Sequence, residues 1–244
     1  MTELISYSNS FCESKHTIIL TGSTKGVGKI LGKDLSSKYN IVSINRMYDE
    51  DISEHASQII FDLSKIDTHE AKIRKSINSL KNIYGLINNA AILTSFPLIG
   101  MPSNKVIEQY KVNLIAPTIL MKIVCKKMIR QKFGRIINMG SMATKVNAPG
   151  DTVYGASKSG LNKISQILNV ELGGTGITVN TLSLSATQTG MLQQITGDDS
   201  KKILKYIPSK KLADSADILN AINFFLDEKS SDVSGQNIFL GGVC

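Results

Sequence analysis

Tyr154 and Lys158, in the run Tyr154-Gly-Ala-Ser-Lys158, stand where an apolar-periodic stretch begins. That periodicity predicts a long helix over Tyr154 to Leu172, ended near Gly173-Gly174. Four-residue spacing places the two side chains on one helix face. A free phenol, with a pKa of about 10, is a poor base at neutral pH. A neighbouring ammonium favours the phenolate and lowers that value. Such a pair can give a proton to a forming alkoxide or take one from an alcohol. A tyrosine and a lysine at this spacing also occur on ordinary helix surfaces, so the chemistry needs a reaction partner.

A candidate partner site lies in Thr21-Gly-Ser-Thr-Lys-Gly-Val-Gly28, between an apolar strand (Thr17 to Thr21) and a helix reaching about Lys38. Gly22, Gly26 and Gly28 allow a tight turn and close backbone approach. Ser23, Thr24, Lys25 and Val27 fill the turn, and the helix start offers free N–H groups to a pyrophosphate. Strand, glycine turn and helix in this order point to a dinucleotide. At the end of the next strand, Ile41 to Ile44, stands Asn45-Arg46. An acidic residue there would accept from the ribose hydroxyls of NAD, whereas a guanidinium pairs with a 2′-phosphate. NADP(H) is therefore preferred, with Lys25 as a second cation, and NAD(H) is the alternative. The competing reading makes Arg46 a solvated residue or a partner of Asp49, Glu50 or Asp51.

These residues need a frame. Further strands are predicted at Gln58 to Phe61, Ile83 to Ile87, Arg135 to Met139, Ile177 to Leu182 and Gln236 to Leu240. Helices are predicted at Asp67 to Leu80, Ser103 to Lys132 (with Pro117 as a kink or boundary) and Asp214 to Leu226. Strand and helix in steady alternation predict an α/β fold: a single doubly wound Rossmann-type domain with a seven-stranded parallel sheet and helices on both faces. Residues 1–16 read as a polar lead-in, and 17–244 as one catalytic domain.

Composition is that of an ordinary globular chain, with 42% hydrophobic and 20% charged residues. The net charge of +8 comes from lysines spread along the chain, which fits a lysine-rich surface or an anionic ligand better than nucleic acid. Cys12, Cys125 and Cys244 have no metal or redox spacing, and His16, His55 and His69 form no ligand set, so no metal is expected. Neither a signal peptide nor a membrane span is evident, and a cytoplasmic location is expected.

The glycine pattern, with a threonine before it, resembles that of the short-chain dehydrogenase/reductase family, and the likeness extends from Thr17 to Gly242. Asn88-Asn89-Ala90-Ala91 is similar to the family's Asn-Asn-Ala-Gly, which braces the sheet and borders the cofactor ribose. Within the family the chain looks most like the 3-oxoacyl-carrier-protein reductase group. The resemblance implies that Ser141 holds the substrate oxygen and that Asn113 supports a water relaying protons from Lys158. It also implies that Asp62, followed by Leu63, meets the adenine, for which capping is the plain alternative. Three departures stand out: Leu184-Ser185 in place of Pro-Gly, Ala91 in place of glycine, and Gly140 where serine is frequent. Thr187 and Thr189 remain to meet the nicotinamide amide, and the altered loop is expected to weaken cofactor positioning. Residues Gly190 to Pro208 are expected to form a mobile lid, apolar on one face and lysine-rich on the other.

The resemblance thus implies an NADP-dependent oxidoreductase acting on a small carbonyl or alcohol, as a 3-oxoacyl thioester reductase whose substrate is carrier-protein-bound. Two alternatives are a sugar or nucleotide-sugar ketoreductase and a non-catalytic NADP-binding regulator or scaffold. A homo-oligomer, tetramer or dimer, is implied through the long helices.

Overall fold

Runs of Ile, Val and Leu without polar alternation make strands buried on both faces. The computed structural model describes residues 5–6, 12, 14–186 and 204–243. Its strands are β1 (Ile5–Ser6), β2 (Thr17–Thr21), β3 (Asn40–Asn45), β4 (Ala56–Ile60), β5 (Ile83–Asn88), β6 (Gly134–Ser141), β7 (Ile177–Leu184) and β8 (Asn237–Phe239). The helices are α1 (Gly26–Leu35), α2 (Glu50–Ser53), α3 (Glu70–Ser79), α4 (Ser103–Tyr110), α5 (Ala116–Gln131), α6 (Thr152–Glu171) and α7 (Ser215–Leu226).

The sheet order is β1-β4-β3-β2-β5-β6-β7-β8. Strands β2 to β8 are parallel, as expected from the alternation. An eighth strand was not expected: β1 lies antiparallel on the edge of β4, with Ile5 opposite Ile59 and Ser6 opposite Gln58. Two residues carry no periodicity, so this edge strand has no signal in the sequence.

Successive strand residues point to opposite faces, and each face has its own core. Ile19, Val42, Leu86 and Ile136 pack with Ile73 and Ile77 of α3, Leu120 and Val124 of α5, and Leu161 of α6. Ile18, Leu20, Ile87 and Ile137 pack with Leu31 and Leu35 of α1 and with Ile222 and Phe225 of α7. The strand order reverses between β2 and β5, which opens a crevice at the carboxyl ends of the strands.

The expected break at Pro117 takes a particular form. Between α4 and α5 a five-residue π segment, Lys111–Ile115, keeps the helix continuous and widens its turn at Asn113. The N–H of Ala116 reaches the carbonyl of Lys111. Pro117 has no N–H to give to the carbonyl of Asn113, so the regular ladder cannot close there.

Candidate active site

The glycine turn follows β2 and is braced from β5. The Thr21 hydroxyl oxygen accepts from the backbone N–H groups of Asn89 (3.0 Å) and Ala90 (2.9 Å). Asn89 Nδ2 donates to the carbonyls of Thr21 (3.0 Å) and Gly22 (2.9 Å). Asn89 and Ala90 therefore shape the turn itself. Gly22 and Gly26 have φ of +70° and +55°. At Gly28 a Cβ would lie 2.1 Å from the Gly22 carbonyl oxygen, a gap only glycine can occupy.

The N-cap of α1, Lys25, makes no side-chain cap bond, and the first turn carries no acidic residue. Its free N–H groups and dipole suit an anion. Asn45, at the end of β3, is buried and tied inward, with Oδ1 accepting from Ser23 N (3.0 Å) and Nδ2 donating to Ser43 Oγ (2.7 Å). Arg46 beside it is exposed. Among the described residues no carboxylate pairs with Arg46; Asp51 instead holds Lys29 at 3.0 Å, and Asp49 accepts from Asp51 N. These residues fit a phosphorylated dinucleotide. Asp62 Oδ1 accepts from both N and Oγ of Ser64, so capping occupies that oxygen, and Leu63 is buried.

Tyr154 and Lys158 lie one turn apart in α6, both buried. Lys158 Nζ donates to the Met139 carbonyl of β6 at 2.7 Å and lies 5.9 Å from the Tyr154 ring centroid. Burial pushes the lysine down to about 8. The phenol behaves differently from the sequence expectation. Burial raises its pKa, a hydrogen bond with Ser141 pulls it down, and the Asp151 charge raises it. Desolvation therefore outweighs the Ser141 hydrogen bond and favours the protonated phenol. Ser141 ends β6 and thus reaches the same place as the tyrosine of α6.

The Asn113 side chain reaches α6 at Ser157, whose Oγ accepts from Nδ2 at 3.3 Å, and is otherwise engaged by Ile92. Its Oδ1 accepts from Ile92 N (2.9 Å) and its Nδ2 donates to Ile92 O (2.8 Å). One helical turn earlier, buried Gln109 grips Thr94 in the same two-way manner, both bonds at 3.2 Å. The two amides clamp the segment after β5. Gln109 carries no signal in the sequence beyond its spacing from Asn113. Asp151 was missed as well: a half-buried carboxylate before α6, held by Ser95.

The departures at the end of β7 have physical reasons. Leu184 continues the strand opposite Ser141 and packs on the core beneath α7, which a proline would disturb. Ser185 is not among the positive-φ residues, so its place does not demand glycine. Gly140 is required because a Cβ there would lie 2.3 Å from Ser183 Oγ. Thr187, Thr189 and the lid from 190 to 203 lie outside the described residues. Leu204 and Ile207, at the end of that span, pack with Met142 and Val243. Among the described residues no cluster of three metal-ligating side chains occurs, and no helix is long and apolar enough to cross a membrane.

Residues 16–200 match the family model described as short chain dehydrogenase. The chain is 30% identical over 232 residues to the 3-oxoacyl-[acyl-carrier-protein] reductase of Haemophilus influenzae, covering 92% of this chain and 96% of that protein. It superposes on a gluconate 5-dehydrogenase from Burkholderia cenocepacia in complex with NADP and tartrate, with a TM-score of 0.82, 24% identity and 96% of each chain covered. A 4-hydroxyisoleucine dehydrogenase complexed with NADH gives a TM-score of 0.80 at 23% identity, covering 93% of this chain and 97% of that one.

Proposed function

This chain belongs to the short chain dehydrogenase family, and we propose that it reduces a ketone with NADPH, with Tyr154 as the proton donor. The observation that carries this reading is the hydrogen bond between Ser141, at the end of β6, and Tyr154, one turn before Lys158 in α6. NADPH, when bound, supplies the hydride. Ser141 holds the substrate oxygen, and the protonated Tyr154 phenol gives its proton to that oxygen as the alkoxide forms. Lys158, fixed on the Met139 carbonyl, holds the ribose and stabilises the phenolate left behind. With the Asn113 side chain engaged at Ile92, the proton relay passes through its backbone carbonyl, which Pro117 cannot bond.

Arg46 and Lys25 take the 2′-phosphate, which sets NADP above NAD. Gly22 to Gly28 cradle the pyrophosphate, and Asp62 and Leu63 border the adenine. Asn89 and Ala90 border the ribose, and Thr187 and Thr189 meet the nicotinamide amide. Residues 17–244 form one catalytic domain with a lid at about 190–208, and the protein works in the cytoplasm. Exposed Ile107 on α4 and Ile167 and Val170 on α6 support a homo-oligomer through the long helices.

The curated relative makes a 3-oxoacyl thioester, free or on a carrier protein, the first substrate to assay. The test is cofactor oxidation on a panel of acetoacetyl thioesters, simple ketones and hydroxyketones. NADPH should be consumed, and NADH at least about tenfold less efficiently. Absence of turnover across the panel would overturn the reading.

A further inference from the structure

An ammonium has three N–H groups, and Lys158 spends one on the Met139 carbonyl. The other two remain for the ribose and the phenolate. Their direction depends on where that carbonyl sits and on how α6 lies against β6.

Just below the carbonyl runs a buried polar spine. Asn88 of β5 and Asn138 of β6 are register partners, and Asn88 Nδ2 donates to Asn138 Oδ1 at 2.7 Å. Each stands one residue before a residue of the site: Asn89, which braces the glycine turn, and Met139, which holds Lys158. Asn138 Nδ2 donates onward to Ser165 Oγ of α6 at 2.8 Å and approaches Met121 Sδ at 3.4 Å. Ser165 Oγ also accepts from Thr181 Oγ1 of β7 at 3.2 Å and donates to the Leu161 carbonyl at 2.8 Å. Two acceptances and one donation exhaust a hydroxyl.

Ser165 comes two helical turns after Lys158, on the same face of α6. Helix α6 is therefore bonded to β6 at two levels, by Lys158 at residue 139 and by Ser165 at residue 138. The surrounding contact is apolar, from Leu161, Ile164 and Leu168, and apolar packing has no direction of its own. Hydrogen bonds fix a distance and an angle, and a buried one that slips leaves its partners unpaired.

We propose that Ser165 and Asn138 are positioning residues for Lys158, holding α6 against β6 so that the ammonium meets both the Met139 carbonyl and the cofactor ribose. The inference rests on the NADPH-dependent reductase reading and deepens it. Both side chains are buried and act only through Lys158.

A double-mutant cycle on NADPH affinity, read by fluorescence, tests this, with kcat measured beside it. Ser165→Ala should weaken NADPH binding about tenfold and lower kcat about tenfold or more, counted per cofactor-binding molecule. In a Lys158→Met background the same substitution should weaken NADPH by less than about twofold, since the contact it positions is already gone. Ser165→Thr keeps the hydroxyl and should hold both readouts within about threefold of wild type. If Ser165→Ala does not fold, Ser165→Cys fills the same space with a weaker donor and should move both readouts in the same direction. A lowered Tm with affinity and kcat unchanged in the folded protein makes the spine structural alone and overturns the inference. So does an equal loss of affinity with and without Lys158. Coupled NADPH binding with no ketone reduced defeats the reductase reading alone. Ketone reduction with independent effects of the two substitutions defeats the positioning assignment alone.

Discussion

On the glycine-turn side of Tyr154, polar side chains are tied to the frame. Thr21 takes two backbone N–H groups, Asn89 braces two carbonyls, and Asn45 locks Ser23 to β3. Lys25, Arg46 and the first N–H groups of α1 are left over, and all of them suit phosphate. On the opposite side, Asp151 Oδ1 and Ser185 Oγ are buried without partners. Four further buried polar atoms among the described residues, His55 Nε2, Asn88 Oδ1, Arg135 Nε and Asn162 Oδ1, also lack partners, so an open valence alone does not mark a ligand. One side is built for a fixed chemical unit, and the other varies with substrate.

The contrast is most easily broken at Gly28. An alanine Cβ would press on the Gly22 carbonyl, which is backbone and itself held by Asn89. Gly28→Ala should weaken NADPH binding about 100-fold by fluorescence titration. Binding within about threefold of wild type would mean that the turn yields. Arg46→Ala comes next. It should raise the KM for NADPH about 30-fold and leave that for NADH nearly unchanged, as loss of one charge-assisted contact requires. Equal effects on both cofactors would remove Arg46 from the 2′-phosphate.

The glycine-turn side was the more legible in sequence because its signals are local. Glycine spacing, the preceding strand and Arg46 all lie within one unit of β2, α1 and β3. The parallel sheet was legible for the same reason, through alternating apolar runs. The other side is assembled from residues far apart in the chain. Gln109, Ser95 and Asp151 have ordinary polar side chains until the fold puts them together. The direction of the Tyr154 shift also escaped the sequence, because local spacing shows the lysine but not the depth of burial. Gly140 looked like a departure, and its reason sits on the next strand, in Ser183.

A smaller effect comes from pH. Lys158 keeps its charge below about 8 and loses it above, while the raised Tyr154 stays protonated through that range. Reduction should hold a plateau at lower pH and then fall about tenfold per unit above that value. Stability changes in the opposite sense. The folded lysine binds its proton less tightly than the unfolded one, so this group adds stability as pH rises from about 8 towards 10.5. A loss of activity accompanied by unfolding would contradict the assignment. The smallest effect is a coupling between neighbours. Gly140→Ser should destabilise by about 1–3 kcal/mol, and Ser183→Ala in the same chain should recover about 1 kcal/mol, read by denaturant titration. Additive effects would show that Ser183 Oγ is not the obstacle.

The most direct test of Tyr154 as proton donor is NADPH oxidation by Tyr154→Phe, with cofactor binding measured on the same sample. Turnover should fall by about 10²–10⁴-fold while NADPH binds as in the wild type. Undiminished turnover at undiminished binding would contradict the account.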